Sequence, residues 1–97
     1  MAFEQLKMLN ELKKAQKALA NEIIEVEAGD GAVVVRINGE LKIQKISLDQ
    51  DKIDFDDISE LERWLEKAIA EAYARAQKIA QEKMTPLMGS LGLGGGK

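Results

Sequence analysis

Lys7, Lys13, Lys14 and Lys17 are the residues of this chain whose type and spacing point most directly to chemistry. Placed on a helix at about 100° per residue, they fall within an arc of about 120°, interleaved with Asn10 and Asn21. Glu4, Glu11 and Glu22 fall on the opposite flank. A strip of ammonium groups about three turns long is suited to following a phosphate backbone by neutralising its charges and releasing its counterions. The competing reading is a solvated face that serves solubility. Farther along, Arg63, Lys67, Arg75 and Lys78 also share an arc, but Glu71 and Glu82 interrupt it. The spacings make Lys67–Glu71, Glu71–Arg75 and Lys78–Glu82 neighbours four apart, which favours pairing along the helix. Lys83 near the helix end is free, where a cation also complements the helix dipole. The first helix therefore ranks above the second as a contact surface.

Charge is sorted by region. Residues 1–20 sum to +2, residues 21–62 to −8 and residues 63–97 to +3, within a net charge of −3 over 97 residues. Such a partition points to helices that meet a polyanion and a middle that does not, with nucleic acid the natural candidate. The absence of Cys and His excludes a disulfide framework, a thiolate nucleophile, Cys-based zinc or iron–sulfur sites, and imidazole chemistry. Asp49, Asp51 and Glu60 fit three positions of a calcium loop, yet Ile53 occupies a ligand position and Asp54 replaces the glycine the sharp turn requires. The acidic stretch has no nucleophile and no basic clamp, so no enzyme, cofactor, metal or small-molecule substrate is expected. No zinc finger, RNP aromatic pattern or helix-turn-helix is present, so sequence-specific base readout is not expected. No apolar run approaches the ~20 residues of a membrane span and no signal peptide is recognisable, which predicts a cytoplasmic protein without a membrane role.

The elements that must position these groups follow from periodicity. Leu6, Leu9, Leu12, Ala15, Leu19 and Ile23 recur at three or four positions and predict an amphipathic helix over Phe3 to Glu22. The next segment is β-branched and is cut by Ala28-Gly29-Asp30-Gly31 and Asn38-Gly39 into three short strands, an antiparallel meander. Asn38-Gly39 between apolar runs predicts a type I′ hairpin turn. Asp57 with Glu60, or Ser59 with Glu62, supplies an N-cap for a second helix through Leu61, Leu65, Ala68, Ile69, Ala72, Ala76 and Ile79. That helix is expected to end near Met84, ahead of Pro86. Residues 1–86 read as one domain and residues 87–97 as a flexible Gly-rich tail.

Helices of about 30 and 42 Å beside strands of ~17–20 Å must overhang the sheet. Val33, Val35 and Ile37 have the opposite parity to Val34, and Leu41 and Ile43 the opposite parity to Ile46 and Leu48. A sheet apolar on both faces is covered on both, and two helices from one chain cover one. A homodimer joined through sheet surface or edge is the expected outcome, with Val34, Ile46, Leu48 and Trp64 as candidate interface residues. Trp64 and Tyr73 flank the second helix's apolar stripe and read as packing groups rather than base-stacking platforms. A protein-interaction module that grips a partner through its projecting helices is the alternative function.

The ordered set of local motifs resembles the YbaB/EbfC family of small nucleoid-associated proteins over nearly the whole chain. It comprises Leu12-Lys13-Lys14-Ala15-Gln16-Lys17, Val26 through the glycine turn into Gly31-Ala32-Val33-Val34-Val35, Asn38-Gly39, and Ile43, Ile46 and Ser47-Leu48-Asp49. Asp57 to Leu65 and Ala68-Ile69-Ala70-Glu71-Ala72 complete it. The resemblance implies an α+β fold with an α-β-β-β-α protomer and a tweezer-like homodimer. It also implies binding of double-stranded DNA with little or relaxed sequence preference, in nucleoid organisation and gene regulation. The projecting helices that would contact DNA correspond here to the Lys7 to Lys17 strip and to Arg75, Lys78 and Lys83. The chain lacks the Gly/Lys-rich leader common before the first helix, and its tail is Gly-rich where relatives often carry Pro and Met.

Overall fold

The computed structural model describes residues 2–90, and the expected element order is present. Helix α1 (Ala2–Ala20) leads into strands β1 (Ile23–Ala28), β2 (Val33–Asn38) and β3 (Ile43–Leu48). A single 3₁₀ turn (Gln50–Lys52) then precedes helix α2 (Ile58–Ser90). The strands form one antiparallel sheet in the order β1-β2-β3, the expected α+β meander.

Strand register decides which face is apolar, and here the sequence parity misleads. Arg36 pairs with Lys45 while Ile37 pairs with Ile43, so Gln44 is one residue too many and β3 carries a bulge. An extra residue resets the alternation. Ile43 therefore shares a face with Ile46 and Leu48, opposite Ile37, Val35 and Val33. The sheet is not apolar on both sides. Its other face carries Glu25, Glu27, Arg36 and Lys45, with Glu25 and Arg36 ion-paired across β1 and β2 and Ile23 and Val34 as apolar exceptions.

The core lies between the apolar face and α2. Ile24, Val26, Ala28, Val33, Val35 and Ile37 pack with Ala68, Ala72 and Ala76, flanked by Leu61, Trp64, Leu65, Ile69 and Ile79. Three alanines on one helical line let α2 approach the strands closely, and each buried Val or Ile contributes about 1.5–3 kcal/mol. Helix α2 packs on β1 and β2. The β3 row stays uncovered, with Ile43, Ile46 and Leu48 still 36, 41 and 47% exposed. At the opposite end of the strands, Gly29 has φ +64° and lies directly under the Trp64 ring, where a β-carbon would come within 2.6 Å of the indole.

The Asn38-Gly39 turn differs from expectation in a way that matters for α1. Neither residue has positive φ; the left-handed residue is Leu41 (φ 67°). The loop is one residue longer than a type I′ turn, closed by Asn38 N–H donating to the Lys42 carbonyl (3.0 Å). The Asn38 side-chain oxygen accepts from the Glu40 and Lys42 amides at 2.9 and 3.0 Å, which supports the strained loop. Glycine is required here for proximity rather than for φ. The Gly39 amide donates to the Leu19 carbonyl (2.8 Å) and the Glu22 carbonyl (3.0 Å), and the Asn38 side-chain amide donates to the Ala20 carbonyl (3.3 Å). These bonds clamp the C-terminus of α1 to the hairpin. A β-carbon on Gly39 would sit 2.7 Å from the Leu19 carbonyl oxygen. Gly39→Ala is therefore expected to lower stability by about 2–3 kcal/mol and to loosen α1 from the sheet. Urea unfolding, together with amide exchange at Asn21 and Glu22, measures both effects.

Helix α2 is capped by Asp57, whose carboxylate accepts from the Glu60 amide at 3.1 Å, selecting the first of the two candidate caps. The helix does not stop near Met84. It runs through Pro86 to Ser90. A proline this late forfeits one backbone hydrogen bond, and the carbonyl it leaves without a partner belongs to solvent-exposed Glu82, open to water. Thr85 Oγ1 donates back to the Gln81 carbonyl (2.6 Å) in the turn before it. The helix reaches past the expected domain boundary; of the expected tail, residues 91–97 lie outside the described residues. With 33 residues, α2 is about 50 Å long. The molecule extends 64 × 25 × 15 Å with a radius of gyration of 18.3 Å, against about 12.5 Å for a compact chain of this length. The helices overhang, as the length comparison required.

Candidate nucleic-acid interface

Among the described side chains of α1 only Leu19 is buried, with Leu12, Ala15 and Ala20 half-buried where the helix packs against α2 and the hairpin. The expected stripe continued through Leu9 and Leu6, but these are 50 and 56% exposed. The physical reason is the spacing. Steps of three residues fall short of the helical period by about 60° each, so the line from Ala15 back to Leu6 winds about half-way round the helix.

The lysines occupy the side the body does not use. Lys7, Lys13, Lys14 and Lys17 are all exposed, and their arc is centred roughly opposite the Leu12, Ala15 and Leu19 side. Among the described residues none of the four is in a salt bridge. From Lys7 to Lys17 the strip covers about 15 Å of helix axis, over which one strand of a duplex presents roughly four phosphates. The four cations span a length comparable to that of a few successive phosphates.

Helix α2 is arranged differently. Arg75 is ion-paired with Glu71 one turn earlier, whereas the expected Lys67–Glu71 and Lys78–Glu82 pairs are not formed. Lys78 and Lys83 are exposed. Arg75, Lys78 and Lys83 spread over about 140° of the helix and make no strip. The acidic middle sits on the body: Asp49 caps the 3₁₀ turn through the Asp51 amide (3.0 Å), and Asp54 and Asp57 cap successive turns leading into α2. A polyanion near this end meets repulsion, and near α1 attraction.

The four interface candidates are not brought together. Ile46 and Leu48 share the exposed row of β3, and Ile43, not singled out from sequence, completes it. Val34 is half-buried on the other face of the sheet, and Trp64 is half-buried over Gly29. Leu6, expected in the apolar stripe, and Phe3, which reads from sequence as a packing residue, instead lie within the lysine arc at 56 and 86% exposure. Placing every residue of α1 on the helical wheel, rather than the charged ones alone, finds them.

A basic helix face clamped to a small sheet-and-helix body, with Asp49, Asp54 and Asp57 capping the turns that lead into α2, makes an α+β protein with one surface suited to a polyanion. The chain belongs to the YbaB/EbfC DNA-binding family, whose sequence profile matches residues 2–91. It is 39% identical over 84 residues to a protein of Chloroflexus aurantiacus named nucleoid-associated protein, covering 87% of this chain and 84% of that one. A nucleoid-associated protein of Ruminiclostridium cellulolyticum is 34% identical over 86 residues, 89% of this chain and 75% of that one. The crystal structure of an uncharacterized protein from Helicobacter pylori shares the fold with a TM-score of 0.80 at 16% identity, covering 90% of this chain and 91% of that one. The family resemblance and the α-β-β-β-α protomer read from the sequence are both confirmed. Among the described residues no helix is long and apolar enough to cross a membrane.

Proposed function

We propose that this protein is nucleoid-associated and binds double-stranded DNA as a homodimer with little sequence preference, through the α1 faces of its two protomers. The observation that carries the reading is the strip of four exposed lysines, none ion-paired among the described residues, on the side of α1 turned away from the body. Family membership and the names of the relatives support DNA as the ligand. Low specificity follows from the chemistry, because ammonium groups on phosphates fix position and carry no base information. Lys78 and Lys83 extend the contact along α2, while Arg75, held by Glu71, contributes less. The homodimer rests on β3. Its row of Ile43, Ile46 and Leu48 continues the apolar face beyond the reach of α2, and a second copy covers it. Two clamped arms then project from one particle located in the cytoplasm at the nucleoid.

Light scattering of the pure protein, with and without a short duplex, tests dimer and ligand together. The expected result is a dimer that gains the mass of the duplex at low salt. Gel shifts on unrelated duplexes should show similar affinities that fall together as salt rises, by about 0.9 log unit per phosphate contact for each log unit of salt. No binding at low salt, with a protein partner recovered after nuclease treatment, would select a protein-interaction module instead.

A further inference from the structure

The most exposed large apolar side chain on the described surface is Phe3, at 86%. It stands one turn ahead of Lys7, and Leu6, 56% exposed, lies beside it. Phe3, Glu4, Leu6, Lys7 and Asn10 line one open hollow near the start of α1. On the helical wheel Phe3 and Leu6 fall inside the same arc of about 120° as the four lysines, while Glu4 falls outside it. An aromatic ring held in water at the end of a helix has an unmet apolar demand, and here it shares a face with a row of exposed lysines.

Charge complementarity names the occupant of that face. A duplex is a polyanion whose backbone the strip can follow, and its most extensive apolar surface is the flat faces of its stacked base pairs. We infer that Phe3, backed by Leu6, is an apolar wedge that enters the stack at a base step while the lysines hold the adjoining backbone. Partial unstacking by an inserted Phe or Leu kinks the duplex away from the protein. Pyrimidine–purine steps open most easily, so the wedge adds a mild preference for such steps to contacts that are otherwise blind to sequence. The two protomers of a dimer each carry one, and bound DNA is bent as well as coated.

This inference rests on the proposed DNA-binding reading, and its test separates the two. The probe is a duplex of about 30 base pairs with a central TA step, carrying 2-aminopurine at that step and a donor and acceptor dye at its ends. The intact protein should raise the 2-aminopurine fluorescence several-fold and shorten the end-to-end distance. Phe3→Ala should abolish both signals and weaken binding about 5- to 10-fold, with the salt dependence unchanged because no phosphate contact is lost. Phe3→Trp should restore the signals. The ring's exposure means that neither substitution disturbs the fold, which circular dichroism checks.

Tight, salt-dependent binding with no fluorescence or distance change would overturn the wedge and leave the DNA-binding reading standing. Absence of any binding to the probe would overturn both. A Phe3→Ala protein that loses its dimer mass in scattering would also overturn the wedge, by showing that a second copy covers the ring.

Discussion

Replacing Lys7, Lys13, Lys14 and Lys17 together by glutamate is expected to abolish binding to every duplex, whatever its sequence, at salt concentrations where the parent protein binds well. Each substitution removes a cation from a phosphate and puts an anion in its place, so the loss exceeds that of neutralisation. The graded form of the experiment carries the mechanistic information. Lys14→Gln should reduce the slope of log affinity against log salt by about 0.9 for each copy of the residue in contact with a phosphate. A control separates the strip from bulk charge. Lys42 and Lys45 are exposed lysines of the sheet region, and reversing that pair changes net charge as much as reversing Lys14 and Lys17. The Lys14/Lys17 pair should cost at least 100-fold in affinity; the Lys42/Lys45 pair should cost a few-fold through the general field. Equal losses from the two pairs would show that no localised strip exists. Stability is not at issue, since exposed glutamates in a helix interior have good propensity and their clash with the C-terminal dipole costs at most about 1 kcal/mol.

What the sequence disclosed and what it hid divide along physical lines. Local signals were legible. The period of α2 with its alanine line, a cap at Asp57 or Ser59 and the β-branched strands are each set within a few residues, and each appears in the structure, with Asp57 as the cap. Non-local geometry was not. The bulge at Gln44 depends on how β3 meets β2, and parity counted along one strand cannot reveal it. That error hid Ile43 and gave the sheet a second apolar face it lacks. Gly39 was read as a turn residue, whereas its requirement comes from the Leu19 carbonyl, distant in sequence and close in space. At Pro86 a local rule lost to context, because on an overhanging helix the carbonyl left without its amide belongs to solvent-exposed Glu82 and is open to water. The basic strip was found because lysines that follow one helix need nothing else to be placed.

The second large effect concerns the dimer, and Ile46 is where it is concentrated. In the protomer Ile46 sits mid-row on β3, paired with Val35 and 41% exposed. Ile46→Asp is therefore tolerated by the isolated fold, since the carboxylate can remain in water. In the proposed dimer the same position lies under a second copy, and an unpaired buried carboxylate costs several kcal/mol in each protomer. Scattering should then report a monomer of 10.7 kDa. The consequence for DNA is steeper than the loss of half the contacts. Two strips on one particle bind as a linked pair, and the second engagement is favoured by an effective concentration of order millimolar. The monomer forfeits that linkage, so affinity should fall by about 100-fold or more while the slope of the salt dependence falls to half. A protein whose lysines act independently would show the halved slope without the larger loss. Val34→Asp, on the opposite face of the sheet, decides where the joint lies. Monomers from Val34→Asp and intact dimers from Ile46→Asp would move the interface to the polar face and leave the β3 row in need of another partner.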